Sequence, residues 1–188
     1  MAKAGETRQR MLASAVELLR ERGTRGTSID AVLAHSGAPR GSVYHHFPGG
    51  RAELITAAVR QAGDYIGSLF EAVAEDGDIR TGLELFARFW KQALVESDYR
   101  AGCPVVALTV DGHDEIPQST ATVSEIFQRW HRASVLLLER HGYEPARAKR
   151  LATLAVSSVE GAIILCRAER SVEPLDEVVT ELLAFLES

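Results

Sequence analysis

The chain has 188 residues, 46% of them apolar and 25% charged, which are the proportions of a soluble globular protein with room for a real core. No unbroken apolar run reaches the roughly 18 residues of a membrane span. The opening residues also lack a secretory apolar segment, so the sequence predicts a cytoplasmic chain with no membrane partner. The net charge of −5 argues against a nucleic-acid binder until it is divided: residues 1–50 hold seven Lys/Arg against four acids (+3), and the rest hold 14 against 22 (−8). That division predicts a polyanion-facing segment on an acidic body.

Nearly every segment reads as helix. Residues 5–23 set Met11, Leu12, Ala15, Leu18 and Leu19 at helical spacing, with Gly23 as a stop. The next helix starts at Thr27, read as an N-cap, with Asp30 completing a variant capping box. Ile29, Val32 and Leu33 give it one buried face, and Gly37 ends it. Pro39 suits the first turn of a short helix that runs to about Phe47, where "PGG" breaks it. A long periodic helix follows over about residues 51–75.

The second half repeats the pattern on a larger scale. "TGLELFARFWKQALVE" carries a wide apolar stripe. "CPVVALTV", residues 103–110, has the β-branched look of a strand, but with no second strand to pair with it is assigned to helix. "DGHDE" at 111–115 reads as an acidic loop. Residues 119–142 keep Val123, Ile126, Phe127, Trp130, Ser134, Leu137 and Leu138 on one face. Residues 144–170 are apolar on all sides from Leu151 to Cys166, which predicts a helix covered all round. A last helix begins near Pro174. Cys103 and Cys166 share no recognisable spacing, which predicts two reduced, buried thiols. No repeat or low-complexity tract interrupts the chain.

The stretch "GAPRGSVYHHFPGGRAEL", residues 37–54, carries the chemistry. His45 and His46 point about 100° apart on a helix and cannot share a metal ion, since ligands on one helix prefer i, i+4 spacing. Ser42 lies one turn from them, but no orienting carboxylate accompanies it. A solvated short helix is the plain reading. A better one joins the two preceding helices into a helix-turn-helix, whose second member enters the DNA major groove. Thr27 and Ser28 would then offer hydroxyls and backbone N–H groups to a phosphate. Arg40 would reach a guanine edge or clamp a phosphate, and Gly41 would let the backbone approach closely. Ser42, Tyr44, His45 and His46 would supply donors to bases or backbone oxygens.

These residues resemble the DNA-binding segment of the tetracycline-repressor (TetR) family. The shared pattern is a small residue, a Gly and a Tyr-x-x-Phe pair before a new helix, here Gly37, Gly41, Tyr44 and Phe47. "AGCPVVALTVD" and "PGGRAEL" resemble its LmrA/YxaF-like branch. The resemblance implies an all-α homodimer of about nine helices per chain. It implies a DNA-binding domain over residues 1–50, a ligand-binding and dimerisation domain over 51–188, and no cofactor. It makes residues 39–46 the recognition helix, with Pro39 at its start, and Phe47 an anchor of the small core. Arg51, counted among the DNA contacts, stands where many members carry lysine; "PGG" is one residue longer than the commonest spacer, and with Gly49 and Gly50 ahead of it the helix N-terminus could still present N–H groups to a phosphate.

Three functions remain open: a regulator binding double-stranded operator DNA and a small-molecule effector, a helical enzyme, or a helical interaction module. For an effector, aromatic residues with polar neighbours mark a candidate pocket: Phe86, Phe89, Trp90 and Phe127, with Trp130, His131, Ser134 and Cys166. A homodimer would use the last two helices, with Ala155, Ser158 and Gly161 allowing close approach and Leu175, Val179 and Leu182 supplying apolar contact. The bland alternative is that these residues only fill a monomer core.

Overall fold

The computed structural model describes residues 2–76, 78–117 and 119–186. Among them every regular element is helical: α1 (Ala2–Arg22), α2 (Ile29–Ser36), a 3-10 turn (Arg40–Ser42), α3 (Val43–His46), α4 (Gly50–Asp76), α5 (Ile79–Glu96), α6 (Pro104–Glu115), α7 (Ser119–Arg140), α8 (Pro145–Glu169) and α9 (Glu173–Leu186). Two compact units divide the chain. One comprises Met1–Asp64 and Cys103–Glu125, the other Tyr65–Gly102 and Ile126–Ser188. The boundary expected at residue 50 therefore falls inside the first unit.

In the first unit the α1 stripe of Met11, Leu12, Ala15, Leu18 and Leu19 is buried with Val32 and Leu33 of α2 and Leu54, Ile55 and Ala58 of α4. Residues 104–110 are helical, as assigned, with Cys103 as their extended N-cap, and Val105 and Leu108 of α6 join this core. The acidic run at 111–115 is the last turn of α6 rather than a loop. Pro104 at the first position of α6 loses no hydrogen bond there.

The second unit packs α5, α8 and α9 together. Asp78 caps α5 by accepting from the Arg80 and Thr81 amides, and Glu144 caps α8 by accepting from the Arg147 amide. Trp90, Leu94, Ile163 and Leu175 are fully buried. Gly82 is required by packing, because a Cβ there would stand 2.1 Å from Val73 Cγ1. Both cysteines are buried, and they form no disulfide with each other. Burial pushes the Cys166 thiol above its ordinary value.

Within one copy of the chain, α8 is not covered on all sides. Leu154, Ile164 and Leu165 are 48%, 54% and 49% exposed, so its inward stripe is Leu151, Ala152, Val159, Ala162, Ile163 and Cys166. Its most apolar 18-residue window has a mean hydropathy of 1.5 and is 33% buried, which is long and apolar enough to cross a membrane by length and composition alone. A count of unbroken apolar residues overlooks this helix because small polar residues punctuate it.

Candidate nucleic-acid interface

The interface is built from the turn between α2 and α3. Ser28, not Thr27, is the N-cap of α2: its backbone is extended and its Oγ accepts from the Ala31 amide at 3.1 Å. Thr27 is buried and donates its hydroxyl to the Gly23 carbonyl at 2.9 Å. That hydroxyl is spent inside the fold, which corrects its assignment to a phosphate. The one-residue shift also dissolves the proposed Thr27–Asp30 capping box. Gly37 then closes α2 with φ 65°, and its amide donates to the Leu33 carbonyl. This left-handed cap is where glycine is favoured.

The continuous helix expected over residues 39–46 is instead a 3-10 turn followed by a single α-helical turn. Pro39 has an extended backbone and stands outside the helix as its cap. The Ser42 hydroxyl donates to the Pro39 carbonyl at 2.6 Å and tightens the turn. Val43 and Phe47 are buried and hold the short helix from beneath, with the Arg8 guanidinium 5.1 Å above the Phe47 ring. The opposite face is open. Tyr44 is 63% exposed, the Arg40 side chain is 89% exposed, and Asp30 is the nearest carboxylate at 4.0 Å. A Cβ on Gly41 would meet nothing within 4 Å, so packing does not demand glycine there. His45 and His46 stand edge to face with centroids 4.9 Å apart.

Arg51 does not project outward as a phosphate clamp. Its Nε donates to the Thr27 carbonyl at 2.9 Å, and its Nη2 donates to the Thr24 carbonyl and to Glu115 Oε2 at 3.0 Å. Arg25 also reaches Glu115, at 3.4 Å. Arginine's fork serves all three acceptors at once, which a lysine ammonium would not. The N-terminus of α4 is likewise occupied, because Glu53 accepts from the Gly49 amide at 2.7 Å. A carboxylate there takes the place proposed for a phosphate. The sequence signal for Glu53 was present, an acid within the first turn. None existed for Glu115, whose partners lie 64 and 90 residues away.

Comparison with known proteins decides what this arrangement belongs to. Residues 11–58 match the model of bacterial regulatory proteins of the tetR family. Residues 80–181 match that of the LmrA/YxaF-like transcriptional regulator C-terminal domain. An HTH-type transcriptional regulator of Mycobacterium tuberculosis is 41% identical, over 93% of this chain and 91% of its own. The chain belongs to the TetR family. Among other TetR-family relatives, the regulator LmrA of Bacillus subtilis is 27% identical over 91% of this chain and 92% of its own. The crystal structure of a TetR regulatory protein from Rhodobacter sphaeroides shares the fold, with a TM-score of 0.82, 23% identity, and coverage of 93% of this chain and 95% of that one. This TetR-family chain is a DNA-binding transcriptional regulator rather than an enzyme.

The second unit of this TetR-family protein contains a cavity of about 330 Å³. Of the residues expected to mark a pocket, Phe86, Phe89, Trp130 and Ser134 line it. Trp90 stands behind Phe86 and Phe89, with centroids 6.3 and 5.3 Å away. Phe127 packs edge-on to Trp130 at 5.2 Å. His131 bonds to the Lys149 carbonyl and the Thr153 hydroxyl, and Cys166 is buried in the core. None of these four forms its walls. Sequence reasoning missed Tyr65, Phe70 and Glu160, which do line it.

The residues expected at a dimer interface also separate. Leu175, Val179 and Leu182 are buried within the chain, on the inward face of α9, and Ala155 lines the cavity. Ser158 and Gly161 are partly exposed. They fall on one stripe with the exposed Leu154 and Leu165, at the i, i+4, i+7, i+11 spacing of a helix face.

Proposed function

We propose that this regulator is a cytoplasmic repressor that binds palindromic operator DNA as a homodimer and is released by a small apolar or aromatic effector. Residues 1–50 would form the DNA-binding domain and residues 51–188 the ligand-binding and dimerisation domain. The observation that carries the DNA contact is the division of labour in the turn: Val43 and Phe47 point inward while Arg40 and Tyr44 stand exposed. Arg40 would contact a guanine edge or a phosphate. Pro39, Gly41, Ser42, Tyr44, His45, His46 and the amides near Ser28 would complete the surface. Dimerisation would use the α8 stripe, where a Cβ on Gly161 would meet nothing within 4 Å, so a partner helix could approach closely. The aromatic cavity would take the effector, whose size class fits about 330 Å³. Release is a population shift. The effector favours one body conformation, displaces α4, and spoils the spacing of the two heads on DNA only through its differential affinity for the two states.

The test is a shift assay on palindromic DNA from the upstream region, repeated across salt concentrations. Affinity should fall steeply with salt, since each phosphate contact contributes about 0.9 to the log–log slope. Arg40→Ala should cost about 1–3 kcal/mol of operator binding, and Tyr44→Phe a smaller amount. A wild-type protein that binds no such DNA at low salt sinks the proposal. A thermal-shift screen of apolar aromatics, with each hit returned to the DNA assay, tests release.

A further inference from the structure

The cavity in the second unit is graded along its length. Two of its walls come from α4 and α5, which run antiparallel there. Tyr65 meets Phe89 with ring centroids 6.0 Å apart, Phe70 meets Phe86 at 4.9 Å, and Val73 fills the space over Gly82. Across from them α7 lays Trp130 on Phe70, stacked at 6.0 Å. Farther along α7, Leu138 shares a cluster with Ile79, and Leu83, Leu137 and Leu186 pack against it. One end is therefore aromatic and the other aliphatic. Ile79 and Phe89, at the two ends, both line the cavity, and the stretch of α5 between them covers about 15 Å. The wall has no charge to give a ligand. Among the described lining residues no Lys, Arg or His is present, and Glu160 already has a partner within the chain. The Ser134 hydroxyl donates to the Trp130 carbonyl at 2.9 Å. Phe70, Phe86, Phe89, Leu83, Leu137 and Leu186, by contrast, are only partly buried. Completing their burial is the free energy this cavity has left to give.

From this gradient we infer that the cavity selects an uncharged alkylated arene, its ring held by Phe70, Phe86 and Trp130 and its unbranched chain running toward Ile79, Leu83 and Leu137. The inference rests on the proposed effector role of this cavity and gives it a ligand class. A charged ligand would lose its water without gaining an unmatched partner in the wall. A ligand aromatic throughout would leave the aliphatic end unfilled, and a chain alone would forgo the ring contacts at the other end.

The test titrates the full-length protein calorimetrically with 4-ethylphenol, 4-butylphenol and 4-hexylphenol. The controls are 4-phenylphenol, which has no chain, 1-decanol, which has no ring, and 4-hexylbenzoate, which is charged. From ethyl to hexyl, affinity should rise about fourfold per added methylene. The hexylphenol should bind at least about fivefold tighter than each control, and should release the protein from the palindromic DNA of the shift assay. Leu137→Phe, which fills part of the aliphatic end, should cut the rise to about twofold or less per methylene while changing 4-ethylphenol binding little. Circular dichroism confirms that this variant folds, and if it does not, the wild-type series and its controls still decide. A flat chain-length series, or a control that binds as tightly as the hexylphenol, overturns the ligand class while leaving an effector cavity in place. Chain-length-dependent binding that leaves the DNA bound upholds the ligand class and overturns the effector role. Binding of none of the six overturns both.

Discussion

At Arg51 one guanidinium holds the Thr24 and Thr27 carbonyls and Glu115 together. Thr24 and Thr27 are both fully buried; the Thr24 carbonyl still accepts from the Thr27 amide, but removing the guanidinium takes the donor from the Thr27 carbonyl in a place water reaches poorly. Arg51→Ala should therefore destabilise the protein by about 1–3 kcal/mol, read by thermal or urea unfolding. The same variant separates a brace from a phosphate contact. A residue that neutralises a phosphate lowers the salt slope of DNA binding by about one unit when removed. Arg51→Ala should leave that slope unchanged while Arg40→Ala, if it meets a phosphate, lowers it. A reduced slope in Arg51→Ala would show that the side chain leaves its internal acceptors on DNA.

Among elements, α2 shows how far local rules reach. With Ser28 as its cap, Ser28→Ala should cost about 1 kcal/mol, measured by the same unfolding assay. If Thr27 were the cap instead, Ser28→Ala would be nearly silent. The helix itself was legible in the sequence, from the apolar spacing of Val32 and Leu33 and the glycine at 37. Its cap was not, because Thr27 and Ser28 are equally good capping residues and burial of Thr27 by the surrounding helices decided between them. The same limit applies at the site. The exposed face of Arg40 and Tyr44 followed from local pattern, whereas the internal use of Arg51 depends on Glu115, 64 residues later. Three of the five aromatic residues among the described cavity walls, Phe86, Phe89 and Trp130, were readable from apolar stripes, but which stripe residues face a void is set by packing between helices. Long-range pairs also tie α7 to α4: Glu71 accepts two bonds from Arg129, both at 2.7 Å. The bond from Arg129, with its charge, holds the Glu71 carboxyl below its ordinary value. A lowered folded value means the pair stabilises fully above the unfolded carboxylate pKa of about 4.3 and loses this contribution as pH falls through the folded value. Melting temperatures of wild type and Glu71→Gln should differ slightly at pH 7, as expected of an exposed pair, and converge in strong acid. A gap that persists or widens in acid would mean the carboxylate is not the stabilising species.

On the scale of the whole molecule, the chain concentrates positive charge in its first 50 residues and carries an acidic remainder, which favours contact with a polyanion through one end and discourages it elsewhere. On the proposed palindromic operator a single copy of the turn would read only half of the site, and a second copy would have to be held at a fixed spacing. The exposed apolar residues suited to that task are Leu154, Ile164 and Leu165 on α8 and Phe185 on α9. Leu165 is 49% exposed, and its neighbour Cys166 faces inward, so a charge at 165 strikes the outer face without entering the core. Leu165→Glu should convert a dimer to a monomer by sedimentation, with helicity and melting of the protomer little changed. Operator affinity should then fall by about 10²-fold or more, because two linked heads gain that much over one. A Leu165→Glu protein that remains dimeric and binds the palindrome as tightly as wild type would place the interface away from this stripe, and the exposure of α8 would need a different partner.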